Sequence, residues 1–142
     1  MEPGNPLHHA YLLVGGVDKA RDTVEGMFAS QGFTLKGSPD YFVYKEVLLS
    51  VDLARDISEK AIQKAFTGKK VFFIAPEKLT HEAQNALLKT FEEPIKNTHF
   101  FLVVNNKSMI IDTLRSRMQV IRLKTATQSL EAKKFLKLSI KD

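Results

Sequence analysis

Thr80–Arg117, THEAQNALLKTFEEPIKNTHFFLVVNNKSMIIDTLRSR, runs a helix, a buried strand and an arginine pair together almost without slack. Thr80 suits an N-cap, Glu82 favours the positive helix end, and Leu79, Ala83, Ala86, Leu87 and Phe91 return at three- and four-residue spacing. That spacing predicts a helix with one buried face, stopped by Pro94. Glu92 and Glu93 break a local rule, because the macrodipole disfavours negative charge at the carboxyl end of a helix. Two readings are open for them: a mark of function, or carboxylates solvated or paired with Lys89 or Lys96.

His99–Val104, HFFLVV, is almost wholly apolar, as expected of a strand covered on both faces in a parallel sheet. Asn105 and Asn106 follow at its carboxyl end, the edge where open α/β sheets bind ligands. Their amides can read a phosphate or an attacking water, or they can be turn residues capping the next helix. Met109, Ile110, Thr113 and Leu114 predict that helix over 107–117, and Gln119–Leu123, QVIRL, predicts a final strand.

Upstream, His9–Val14 is a short apolar run ending in Gly15-Gly16, and Val17, Ala20, Val24, Met27 and Phe28 share one face of a helix over 17–31. Asp40–Val43 and Val47–Val51 are short β-type runs. A helix is expected from Asp52 to Phe66, capped by Asp52 or Ser50, with Leu53, Ile57, Ala61, Ile62 and Ala65 inward and Gly68 after its end. Lys70–Ile74, KVFFI, is the second fully apolar strand. The fold class is therefore α/β, a three-layer sandwich with a mostly parallel sheet of strands near 10–14, 40–44, 70–74, 99–104 and 119–123.

The 142 residues, 44% hydrophobic and 26% charged, suit one globular core. We expect one domain over 1–125 and a basic helix over 126–142, packed on it or following it, with Leu130, Phe135 and Leu138 as its apolar stripe. No apolar run approaches the ~20 residues of a membrane span, and MEPGNPLHH lacks the order of a signal peptide, so a cytoplasmic protein without membrane contact is expected. Without cysteine there is no disulfide or thiolate metal site, and His8-His9 is the one histidine cluster; no metal or other cofactor is expected. The net charge is +5, and residues 122–142 hold six basic against two acidic side chains. Such a tail suits weak DNA contact or a solvated helix face, and with Phe135 as its one aromatic it lacks the repeated aromatic-basic interleaving of nucleic-acid readers.

ALLKTFEEP, NTHFFLVVNN and TLRSRMQVIRL, with HAYLLVGG, PDYF and VDLARDI upstream, resemble the AAA+ core of bacterial DNA polymerase III clamp-loader subunits of the delta-prime and gamma/tau type. The resemblance covers nearly the whole chain up to Leu123 and is densest from Lys70. It implies a RecA-like P-loop NTPase fold with strand order 5-1-4-3-2, Asn105 or Asn106 in the sensor-one region, and Ser116-Arg117 as the arginine-finger motif. Met118 stands where the family often has cysteine, and the cysteine-ligated zinc module that often interrupts this domain is absent.

In ATP-binding relatives the first glycine turn carries GxxxxGK(S/T), whose backbone amides surround phosphate. The corresponding residues here are GGVDKARD: Gly15 is kept, Gly16 follows it, Asp18 and Ala20 stand for the other glycines, Arg21 for the lysine and Asp22 for the magnesium-binding hydroxyl. The next apolar strand of such relatives ends in an Asp-Glu pair, where this chain has Ala75-Pro76-Glu77. The double loss implies a non-catalytic subunit close to delta-prime, partnered by gamma/tau-type ATPases and other loader subunits. Arg117 would be its arginine finger in trans, oriented by Ser116, with Arg115 as the competing candidate. Two alternatives stay open, a nucleotide-binding ATPase with an atypical loop and a stand-alone AAA+-like interaction module, because the chain stops about where the family continues into a lid and an oligomerisation collar.

Overall fold

A computed structural model describes residues 8–93 and 95–123. The basic helix expected over 126–142 lies outside the described residues. Five strands, β1 (Ala10–Val14), β2 (Tyr41–Leu49), β3 (Lys70–Leu79), β4 (Thr98–Val104) and β5 (Gln119–Arg122), form one sheet in the order β2-β3-β4-β1-β5. Every neighbouring pair is parallel. This is the 5-1-4-3-2 order expected from the resemblance, and the three apolar runs are the three interior strands.

Alternation along the strands divides the core between two faces. Ala10, Leu12, Phe72, Ile74, Phe100, Leu102 and Val104 pack against helices α2 (Val51–Ala61), α3 (His81–Glu92) and the short α4 (Asp112–Arg115). Tyr11, Leu13, Val71, Phe73, Phe101 and Val103 pack against Ala20, Val24 and Phe28 of α1 (Val17–Ala29). The result is three layers. On the α2–α3 face an aromatic ladder crosses the sheet: Phe42 stacks on Phe72 at 4.8 Å, Phe72 on Phe100 at 5.1 Å, and Phe91 of α3 meets Phe100 at 5.0 Å. Register Phe42↔Phe72↔Phe100 makes the ladder possible, and each such contact adds ~0.5–1.5 kcal/mol beyond area burial.

Three boundaries depart from the sequence reading. The two β-type runs around Lys45 are one strand, β2, because β3 does not stop at Ile74. It continues through Pro76 to Leu79, paired with β2 alone once its last contact with β4, Ile74↔Leu102, has passed. Proline is tolerated there because one edge of β3 needs no donor.

The second departure is the end of α2 at Ala61 rather than Phe66. Ser50 caps its start, accepting from the Leu53 amide. At its end the buried Lys70 ammonium donates to the carbonyls of Lys60, Ala61 and Gln63, taking up acceptors that a longer helix would have used itself. Buried Asp40 accepts from the Phe66 and Thr67 amides and the Thr67 hydroxyl, at 3.1, 2.6 and 2.6 Å, so the chain beyond the helix is held as a loop. The third departure, in the segment after Asn105, belongs to the candidate site.

Candidate functional site

Two places carry the residues singled out above: the β1–α1 connection at the carboxyl edge of the sheet, and the β4–β5 connection, which leaves that edge at Asn105 and returns with Arg117 to the amino end, two residues before β5 begins.

The connection is two residues long. β1 ends at Val14 and α1 begins at Val17, so six of the eight residues GGVDKARD lie in the helix and only Gly15 and Gly16 form a turn. Asp18 is in the first turn of α1 and exposed; Arg21, more than a turn inside, bonds to Glu25 at 3.1 Å, and Glu25 also accepts from the Tyr41 hydroxyl at 3.1 Å. Asp22 is exposed. Burial and the Glu25 carboxylate push the Tyr41 phenol up to about 12. The concavity beside α1, about 350 Å³, is lined by Asp18, Asp22 and Glu25 against Arg21 and Lys36.

Contacts within the chain account for a glycine at position 15. Its φ is +153°, its amide donates to the Val104 carbonyl at 2.9 Å, and a Cβ would lie 2.8 Å from Cβ of Leu123. Leu123 in turn donates its amide to the Val14 carbonyl at 2.9 Å. The turn is thus closed against the chain that follows β5.

The segment after β4 was expected to be one helix over 107–117. Instead a single 3-10 turn (Lys107–Met109) is followed by extended Ile110 and Ile111 and then the four residues of α4. The cause is a residue the sequence reading missed. Gln84, on the buried face of α3 and 4% exposed, donates from Nε2 to the Met109 carbonyl at 3.1 Å and accepts at Oε1 from the Ile111 amide at 2.8 Å. One side-chain amide therefore satisfies both backbone groups that a continuous helix would have paired. The signal was legible: 84, 87 and 91 share a helix stripe, and a polar residue inside an apolar stripe needs a partner.

Asn106 is the N-cap of the 3-10 turn, its Oδ1 accepting from the Ser108 amide at 3.0 Å, and Asn105 is exposed. The capping role open to Asn106 in the sequence is the one it takes here. Glu77 lies exposed on the β2–β3 extension beyond the last β3–β4 pair.

The two arginines differ in what holds them. Arg115 is tied inside its own segment, to the Asp112 carboxylate and to the Lys107 carbonyl at 3.5 Å. Arg117 lies just past the end of α4 between buried Leu114 and Met118, with half of its side chain exposed, and its guanidinium reaches Glu92 Oε1 of α3 at 3.5 Å. The partner of Glu92 is thus Arg117 rather than Lys89 or Lys96. The Ser116 hydroxyl donates to the Thr113 carbonyl at 2.8 Å, within the turn that precedes Arg117.

His9 and His99 bond to the backbone through their rings. His9 Nε2 bonds to the Phe91 carbonyl at the end of α3, and His99 Nδ1 to the His8 carbonyl, both at 2.9 Å. Among the described residues no group of three or more histidine, cysteine, aspartate or glutamate side chains is placed to hold a metal ion. No helix among them is long and apolar enough to cross a membrane.

A parallel sheet in this order, layered between α1 and the α2–α3–α4 face, with the first glycine turn and the end of β4 at its carboxyl edge, is the P-loop NTPase fold in its AAA+ form. It is similar to a crystal structure of a DNA polymerase III gamma subunit-related protein from Thermotoga maritima, with a TM-score of 0.65 over 82% of this chain and 41% of that one at 19% identity. The family model described as "DNA polymerase III, delta subunit" matches residues 34–127, well over half of the chain, and the chain belongs to that family. It is 38% identical over 97 residues to the DNA polymerase III subunit delta' of Haemophilus influenzae, covering 65% of this chain and 30% of that protein. The corresponding values for the Escherichia coli subunit delta' are 39% over 88 residues, 58% and 26%. A replication factor C small subunit of Haloquadratum walsbyi is 33% identical over 82 residues, covering 56% of this chain and 13% of that protein. The chain spans about a third or less of the curated relatives it matches.

Proposed function

We propose that the chain acts in DNA replication as a non-catalytic clamp-loader component, giving scaffold contacts to gamma/tau-type ATPase subunits and presenting Arg117 in trans to a neighbour's nucleotide. The observation that carries this reading is the contrast between the glycine turn at the carboxyl end of the sheet and Arg117 at its amino end. The β1–α1 turn has two residues and acids beside it, which leaves few free amides for a triphosphate and adds like-charge repulsion, ~1 kcal/mol per close pair in water. Meanwhile Arg117 is half-exposed, and among the described residues its guanidinium is held by one half-exposed carboxylate.

A guanidinium delivered to a γ-phosphate at a subunit boundary contributes ~10³–10⁵ in rate, because its planar fork bridges two phosphate oxygens as charge develops. Arg115 is the weaker candidate because its guanidinium is already committed to Asp112 and Lys107. The basic surplus of residues 122–142 supports a weak, salt-sensitive DNA contact within the same role.

Calorimetric titration of the chain with ATP and magnesium tests the non-catalytic half of the proposal. We expect no tight binding and no hydrolysis. A dissociation constant in the low micromolar range, about −8 kcal/mol, would overturn it.

A further inference from the structure

The Proposed function leaves Glu92 unused. It stands in the last turn of α3, where the helix dipole disfavours a carboxylate, and it is the residue to which Arg117 is paired. Resting on the reading of Arg117 as a group that acts in trans, we infer that Glu92 is a positioning residue, a counter-ion in the same chain that parks the guanidinium and is exchanged for a partner's phosphate on docking.

Three observations carry this. First, the pair joins two elements rather than two residues of one helix, so it fixes Arg117 relative to α3 and not merely to its own turn. Secondly, α3 is a firm platform at both ends of the contact. Gln84 pins the Met109–Ile111 backbone to it, and the His9 ring holds the Phe91 carbonyl one residue before Glu92. The segment leading to Arg117 and the carboxylate that receives it are therefore both located by α3.

Thirdly, the pair is made to be exchanged. Among the described residues it is a single contact at 3.5 Å with side chains 50% and 44% exposed, whereas Arg115 makes a close pair with Asp112 and a second bond to a carbonyl. A solvated single ion pair is worth little, so a dianionic or trianionic phosphate outcompetes it at small cost. Until then the pairing keeps a long, flexible side chain in one region and keeps it from other anions.

The test titrates the full chain into a gamma/tau-type ATPase from the same source, with primed DNA and ATP, using wild type, Glu92→Gln and Arg117→Ala. Thermal melts of each variant serve as a folding control. Removing the competing carboxylate should lower the concentration of the chain giving half-maximal stimulation roughly two- to fivefold, the scale on which exposed ion pairs compete. That advantage should shrink as salt is raised from 0.05 to about 0.3 M, since the exposed pair is screened first.

Arg117→Ala should abolish stimulation. If it does, and Glu92→Gln has the wild-type half-saturating concentration or a higher one at low salt, the parking role is wrong while the trans-acting arginine stands. An advantage of Glu92→Gln that does not diminish with salt also overturns it, because it then does not arise from the ion pair. If Arg117→Ala stimulates like wild type, the reading on which the inference rests fails, and the inference with it.

Discussion

At the scale of single residues, the buried polar groups hold the least expected features of the chain. Asp40 is 2% exposed, and burial alone would push its carboxyl up; the Thr67 hydroxyl and amide, the Phe66 amide and the Lys70 ammonium outweigh that and hold it below its ordinary value of 3.8. A depressed carboxylate stabilises the fold above its unfolded pKa, and the contribution is lost as pH falls through the folded value. Asp40→Asn should cost ~1–3 kcal/mol at pH 7, by removing charge-assisted acceptors from the loop at 66–67. It should also flatten the loss of stability below about pH 4 relative to wild type. Urea midpoints at pH 7, 4 and 3 check both. Gly15→Ala belongs to the same scale: the added Cβ would meet Leu123 at 2.8 Å from a backbone angle that side chains avoid, and we expect a loss of ~1–3 kcal/mol in the same assay. Neither role could be read from the sequence, where Asp40 looked like a residue at a strand start and Gly15 like the remnant of a phosphate loop. Each depends on a partner 26 or more residues away.

At the scale of elements, periodicity located the long helices and failed where a side chain competes with the backbone. The face Ala20-Val24-Phe28 of α1 and the cap-to-core pattern of α3, Thr80 accepting from the Ala83 amide and then Ala83, Leu87 and Phe91 buried, follow directly from the spacing. The helix expected over 107–117 does not form because Gln84 takes the Met109 carbonyl and the Ile111 amide. Gln84→Met fills similar volume but leaves both partly buried groups without that partner. The expected cost is ~1–3 kcal/mol, with faster amide exchange at Ile111 while Leu12 and Leu102 in the central sheet keep their protection. Exchange measured by NMR on the variant would contradict the assignment if Ile111 were as protected as in wild type.

Across the whole molecule, the apolar strands were legible because an interior parallel strand must be covered on both faces, and KVFFI, HFFLVV and AYLLV are. Strand order was not legible from these runs alone; it came with the resemblance and agrees with the register Ala10↔Phe100↔Phe72↔Phe42. The candidate site was legible in its position and not in its contacts. Arg117 could be placed at a helix end before the last strand, but its link to Glu92 joins residues 25 positions apart on different elements. The amino-terminal end of the sheet sets an acid limit on the whole fold. Burial lowers both His99 and His9 below their ordinary value of 6.5, so the neutral rings stabilise the fold above that pH, and this contribution is lost as pH falls through the folded values. Denaturation midpoints should therefore decline between pH 7 and 5, and His99→Phe should reduce that slope.

Arg117 is the residue on which the trans-acting role rests. The most direct measurement is DNA-stimulated ATP hydrolysis by a gamma/tau-type ATPase reconstituted with this chain, comparing wild type, Arg117→Ala, Arg117→Lys and Arg115→Ala at saturating concentration. We predict that Arg117→Ala lowers the stimulated rate by ~10³-fold or to the unstimulated level, that Arg117→Lys stays poor for want of the planar fork, and that Arg115→Ala remains close to wild type. Stimulation undiminished by Arg117→Ala, or lost only with Arg115→Ala, would contradict the claim.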